Sequence, residues 1–284
     1  MDSTIDTHSL GYATKERVEE LRESLGEVRA RMSQAVRSRK VLPSAFRHKD
    51  IVLVAVSKYK PAEDILACHE EGHQVDFGEN YVQELVDKAA ILPQSIQWHY
   101  IGTLQSNKCK VLAAIPNLFA IQTLDTAKKA TMLDKALPST RASPLNVYIQ
   151  INTSGENSKS GLPPLRTSDD PDARNIAQVT QLTRYILSDC PQLYLRGLMT
   201  IGSIEQSASS EGNEDFSRLI ETATILEDLL RKEDGKLNWG VDGALELSMG
   251  MSGDFEQAIR AGSGVIRVGT AIFGQRRVKP NAVS

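Results

Sequence analysis

From Ile51 to Gly274 the chain repeats one pattern eight times, and this repetition constrains its fold more than any other feature. A short run rich in apolar and β-branched residues is followed by a stretch with apolar positions at helical spacing. The runs are IVLVAV (51–56), 75–77, QWHYIG (97–102), LFAIQT (118–123), NVYIQINT (146–153), YLRGLMTIG (194–202), ALELSMG (244–250) and VIRVGTAIFG (265–274). The first is apolar throughout, without alternation, as expected of a strand buried on both faces. Helical stretches at 61–71, 80–91, 105–114, 125–136, 174–188, 213–232 and 254–261 separate the runs. Strands alternating with helices predict βα units on a parallel sheet. Eight units in about 225 residues match a closed (β/α)8 barrel, an α/β fold of the TIM type, with an open doubly wound sheet as the alternative.

Ahead of the repeats, Val18, Leu21, Leu25, Val28, Met32 and Val36 recur at steps of three and four. They predict a long amphipathic helix over 14–38. Residues 1–13 read as a flexible tail, and 14–284 as a single barrel domain that includes the helix. Two polar segments, 154–175 and 204–215, read as mobile loops after strands.

Lys plus Arg number 33 against 36 Asp plus Glu, a formal net charge of −3. No basic stripe favours nucleic acid. Cys68, Cys109 and Cys190 lie far apart and fit a reducing compartment better than a disulfide framework. The N-terminus has neither an apolar core nor a basic bias, and no run is long enough to span a membrane, so a cytoplasmic location is expected. HEEGH (69–73) satisfies a zinc-protease pattern, but Gly72 is expected to end that helix and leave His73 off its face, so no metal site is assigned.

In a barrel the C-terminal strand ends converge on one site. Here they carry Lys58, Gly78-Glu79-Asn80, Gly102, Thr123, Asn152, Met199 to Gly202, Ser248-Met249-Gly250 and Arg267 to Thr270. A lone lysine at a strand end ordinarily extends into water. The Gly/Ser-rich turns SMGMSGD and RVGT on the last two strands suit a bound phosphate. A lysine opposite a phosphate site can form a Schiff base with an aldehyde. An aldehyde that also carries a phosphate is pyridoxal 5′-phosphate. Arg267, always a donor, would then face the pyridine nitrogen and weaken the ring as an electron sink.

The stretches AVSKYKP, FGENYVQE, WHYIGTLQSNK, GLMTIG and LSMGMSGDFEQAIRAGSGVIRVGTAIFG run in order from about 51 to 274. In them the sequence resembles the pyridoxal phosphate homeostasis protein family, also called the proline synthetase co-transcribed family. That family is similar to the barrel domain of alanine racemase standing alone. The resemblance implies that Lys58 carries the cofactor as an aldimine. It implies that Ser248, Gly269 and Thr270, with backbone groups near Met249, bind the phosphate. Arg267 is matched to the pyridine nitrogen and Asn80 to the ring. His99 lies in a matching motif, and a strand histidine is ordinarily a satisfied core residue.

Racemisation needs two positioned bases, and Lys58 can be only one. Ten residues follow Gly274 and no tyrosine follows Tyr194, so the second domain and second base of a racemase are not expected. The expected function is therefore a cofactor-binding protein serving vitamin B6 homeostasis, with no catalytic residue assigned. A racemase of low activity is the alternative. Pyridoxal phosphate and apoenzymes that use it are the partners implied, and a monomer is expected.

Overall fold

The structure, a computed structural model, describes residues 11–39, 50–156, 158–203, 206, 212–233 and 238–275. Most of the expected tail, the link before the first strand, most of 204–215 and the last nine residues lie outside the described residues. Eight strands form a closed barrel in chain order: β1 Val52–Val56, β2 Asp76–Glu79, β3 Gln97–Tyr100, β4 Leu118–Leu124, β5 Leu145–Gln150, β6 Leu193–Met199, β7 Glu246–Ser248 and β8 Val265–Val268. Every neighbouring pair is parallel, and β8 closes on β1 with Val54 opposite Arg267. This is the (β/α)8 barrel that the eightfold alternation predicts.

The helices are α1 Lys15–Arg37, α2 Ala62–Glu70, α3 Val82–Ile91, α4 Cys109–Ala113, α5 Ala127–Ala136, α6 Pro171–Ile176, α7 Gln178–Asp189, α8 Glu214–Glu233, α9 Phe255–Ala261 and α10 Thr270–Phe273. Their apolar stripes pack on the outer faces of the strands and make one continuous core that includes Leu25, Ile65, Leu85, Trp98, Leu133, Phe216 and Phe255. Inside the barrel lies a much smaller apolar cluster of Val54, Ala120, Tyr148, Met199 and Val265. Val52 and Phe119 pack against this cluster, and the lumen also holds the buried polar side chains of His99, Gln122, Glu246, Ser248 and Arg267, which is unusual for a fold whose interior is ordinarily filled by branched apolar residues.

Helix α1 begins at Thr14, whose hydroxyl accepts from Arg17 N–H. Its buried face, Leu21, Leu25, Val28 and Ala35, lies across α2, α9 and α10, over the seam where β8 meets β1. Arg17 pairs with the buried Asp64 at 2.7 Å and donates to the Phe273 carbonyl at 3.0 Å.

Two expectations need correction. The segment 154–175, outside its one undescribed residue, is docked: Ile151 bridges Leu162, Leu162 and Leu165 are buried, and Leu165 N–H donates to Thr222 Oγ1 at 3.1 Å. Its polar composition conceals two leucine anchors. The final run, expected as strand to 274, ends at Val268, and Thr270–Phe273 turns into a helix. Short apolar runs do not separate strand from helix by periodicity. Helix α2 ends at Glu70, and His73 lies outside it at φ +49°. Both ring nitrogens of His69 are engaged, by the Gln74 carbonyl and Ser95 Oγ, each at 2.8 Å. The three cysteines are buried and free, and burial pushes Cys68 up to about 12.

Candidate functional site

Strand β1 is apolar until Ser57, whose N–H donates to the Gly78 carbonyl and continues the ladder one step. The chain then turns: Lys60 N–H donates back to the Ser57 carbonyl at 3.0 Å, leaving Lys58 and Tyr59 as the two central residues. Tyr59 takes φ +61°, a left-handed conformation costly for an aromatic residue. The strain is held by a buried charge network. The Lys88 ammonium donates to the Ser57 carbonyl (2.8 Å), Glu79 Oε1 (2.7 Å) and Glu84 Oε1 (2.7 Å). Ser57 Oγ donates to Glu79 Oε1 at 2.6 Å, and Tyr59 N–H to Glu84 Oε1 at 2.7 Å. The residues on either side of Lys58 are thus tied to one ammonium. Burial pushes Glu79 up to about 7, against the pull of Lys88. Lys58 itself is half-buried, and its ammonium makes no hydrogen bond or ion pair among the described residues. Lys60 donates to the carbonyls of Phe273, Gly274 and Gln275 at 2.9–3.0 Å.

The turns after β7 and β8 approach each other beside β1. Gly269 N–H donates to Ser252 Oγ at 3.2 Å, and a Cβ on Gly269 would stand 3.2 Å from the Val56 carbonyl oxygen. The β7 turn is shaped by Gly250 at φ +93°, where a Cβ would meet Ala258 at 2.5 Å. Met251 N–H donates to Asp254 Oδ1 at 2.6 Å. The N–H groups of Ser252, Gly253, Thr270 and Ala271 have no acceptor among the described residues. Open N–H groups on small-residue turns are the kind of donor that can serve an anion.

Arg267 is buried on β8 and faces inward. It donates to Ser248 Oγ at 2.6 Å and to the Thr200 carbonyl at 2.7 Å, and no carboxylate pairs with it among the described residues. Burial pulls it down to about 10, so it stays charged at neutral pH. Asn80 lies just past β2, one residue from the buried Glu79, and its Oδ1 is buried without a partner, as is Glu79 Oε2. His99 on β3 is fully buried, with Nε2 on Asp76 Oδ1 and Nδ1 on Gln122 Nε2, both at 2.9 Å.

The structure therefore brings Lys58, Asn80, Arg267, Gly269 and Thr270 to one mouth. Ser248 and Met249 stand differently from expectation. The Ser248 proton goes to Gln122 Oε1 at 2.7 Å, and Met249 N–H goes to the Val265 carbonyl at 3.1 Å. Neither has a donor to spare for an anion. Ser252, four residues on, lies where the β7 and β8 turns meet and accepts from Gly269 N–H. Strand β7 is three residues long, and the turn after it carries Ser252 round to Gly269. The signal was present in MSGD, a small polar turn running into the Asp254 that precedes α9. Gln122 was also missed: it follows the lumen residue Ala120 by two positions on β4 and so points inward to His99 and Ser248, while Thr123 bonds the Gly102 carbonyl.

Residues 42–277 match the family described as the alanine racemase N-terminal domain. A pyridoxal phosphate homeostasis protein of Schizosaccharomyces pombe is 43% identical over 236 residues, covering 83% of this chain and 89% of the relative. One from Homo sapiens is 40% identical over 260 residues, covering 89% and 86%. The solved structure of PipY from Synechococcus elongatus with PLP bound superposes with a TM-score of 0.61 at 29% identity, covering 89% of this chain and all of that one. An alanine racemase of Clostridium difficile has a TM-score of 0.60 at 12% identity over 90% of this chain and 57% of its own, a likeness of fold alone.

Proposed function

This chain belongs to the alanine racemase N-terminal domain family and, within it, to the pyridoxal phosphate homeostasis proteins, and from that premise we propose that it binds pyridoxal 5′-phosphate covalently and reversibly on Lys58 as a cellular reserve of the cofactor. The observation that carries the proposal is the unpartnered Lys58 amine, held at the end of a buried strand beside turns with open N–H groups and a buried guanidinium. The donor set fits the cofactor's three functional groups. When bound, pyridoxal phosphate supplies an aldehyde that condenses with an amine and a pyridine ring that withdraws electrons.

Each residue then has one task. Lys58 supplies the amine. Ser252 Oγ and the N–H groups of Ser252, Gly253, Thr270 and Ala271 hold the phosphate, with Gly269 allowing the close approach to Val56. Asn80 Oδ1, buried and unpartnered, meets a polar edge of the ring. Arg267 meets the pyridine nitrogen as a donor and keeps a proton off it. A pyridine without its proton is a weak electron sink, which favours storage and release over catalysis. The relatives are named for homeostasis of the cofactor and not for a reaction. On the same reasoning we place the protein in the cytoplasm as a monomeric single domain, with apoenzymes that use the cofactor as recipients.

The test is reduction of the freshly purified protein with borohydride followed by peptide mass spectrometry. A phosphopyridoxyl group on Lys58, absent from Lys58→Ala, is the expected result. A colourless protein that takes up no added pyridoxal phosphate overturns the proposal.

A further inference from the structure

The polar interior of the barrel contains a chain of hydrogen bonds that the cofactor cradle does not explain. Arg267 Nη1 donates to Ser248 Oγ at 2.6 Å, and Ser248 Oγ donates to Gln122 Oε1 at 2.7 Å. Gln122 Nε2 contacts His99 Nδ1, and His99 Nε2 contacts Asp76 Oδ1, both at 2.9 Å. The five residues come from β8, β7, β4, β3 and β2, so the chain crosses the lumen. Ser248, Gln122 and His99 are fully buried, and Asp76 at the far end keeps about a quarter of its side chain exposed, 23%.

With one proton on the His99 ring, the directions of the other bonds follow from one another. A carboxylate accepts only, so His99 Nε2 carries a proton. Neutral His99 then accepts at Nδ1, which requires the NH2 of Gln122. The Gln122 carbonyl therefore faces Ser248, which must donate to it. Ser248 is left with a lone pair, and that lone pair receives Arg267. All four bonds run from the cation to the carboxylate, and their dipoles reinforce one another. Arg267 makes no ion pair within 4 Å among the described residues, although Asp254 acts on it through space, and the chain adds a hydrogen-bonded path from it to the carboxylate of Asp76 on β2. An apolar filling at 99 and 122 would serve packing alone and would avoid the desolvation cost of buried polar groups.

We propose that Asp76, His99 and Gln122 are positioning residues for Arg267: with Ser248 they form a one-way relay that holds the guanidinium in a single orientation toward the cofactor pocket. If His99 took a second proton, Nδ1 would become a donor and Gln122 would have to turn over. Its NH2 would then face Ser248, which would accept from both Gln122 and Arg267 and lose Gln122 as the acceptor of its own proton. The relay thus links the tautomer of His99 to the hydrogen bonding of Ser248, the group that receives Arg267. The part of the test that uses bound cofactor rests on the proposed function, and the part that does not is independent of it.

In cofactor-free protein, side-chain 15N resonances of His99 report its protonation directly. The relay requires a neutral ring with the proton on Nε2. A ring protonated on Nδ1, or an imidazolium at neutral pH, overturns it. In the cofactor-loaded protein, Gln122→Leu and Asp76→Asn are expected to move the visible absorption band and to weaken binding about three- to tenfold. Tyr148→Phe, a buried substitution in the same lumen but off the chain, leaves the band in place. A band unmoved in Gln122→Leu, or moved as far in Tyr148→Phe, refutes the relay. Should Gln122→Leu fail to fold, Asp76→Asn at the partly exposed end decides the same point. A wild type that binds no cofactor refutes the proposed function instead, and the 15N result still judges the relay.

Discussion

Lys88 is the residue on which the geometry of Lys58 depends, although it lies thirty positions away on α3. Its ammonium satisfies Ser57, Glu79 and Glu84 together, and its side chain is 8% exposed. Lys88→Met leaves Glu79 buried without its cation, which is expected to lower the free energy of unfolding by about 3–5 kcal/mol, read as a lower urea midpoint. The same network makes a pH prediction. Glu79 is raised from 4.5 to about 7 by burial. Between those values the folded protein keeps a proton that the unfolded chain has released, so this group's contribution to stability falls as pH rises through the window. In Glu79→Gln that fall is absent. Thermal melts from pH 5 to 8 should therefore show the variant gaining on wild type as pH increases, and a constant difference contradicts the assignment. Lys58 and Arg267 were legible in the sequence because a charged residue at the end of an apolar strand has few places to go. Ser252, Gln122 and the lock at Lys88 were not, because each acts through a partner set by a turn, by closure of the barrel or by a neighbouring helix.

At the scale of elements, the βα turns after β7 and β8 form the phosphate cradle proposed above. Gly250 permits the first of them: at φ +93° only glycine avoids both backbone strain and a collision with Ala258 on α9. Gly250→Ala is expected to cost about 1–3 kcal/mol of stability. It should also weaken uptake of pyridoxal phosphate, measured by titration of the apoprotein, because α9 must shift away from the turn that carries Ser252. An unchanged titration would separate that turn from the phosphate site. A closer approach occurs at Gly102, where a Cβ would stand 1.9 Å from the Asn80 carbonyl oxygen. Gly102→Ala should displace Asn80 and alter the spectrum of bound cofactor. Strand and helix identities were readable from hydrophobic period, whereas the end of β8 was not, since four strand residues and four helical ones make a single apolar run.

For the whole molecule, α1 is the clasp of the barrel. It crosses the β8–β1 seam, with Leu25 fully buried against Gly72 and Arg17 reaching both α2 and the end of α10. Leu25→Ala is expected to destabilise by about 3 kcal/mol. If α1 and the barrel are one cooperative unit, the loss appears in one transition, with circular dichroism and the fluorescence of buried Trp98 and Trp239 coinciding; separate transitions would make α1 an independent layer. The sequence by itself determined the number of βα units, the parallel sheet, the clasp helix and the strand-end positions of Lys58, Arg267, Gly269 and Thr270. These follow from hydrophobic period and turn chemistry, which act over a few residues. Only the tertiary structure decided that Ser252 meets Gly269, that Lys88 braces the turn at Lys58, and that Asp76 is joined to Arg267 through Gln122 and Ser248, residues 126 positions apart. Those pairings arise when eight strands close on one another, and no local pattern carries information about which side chains then face each other across the lumen.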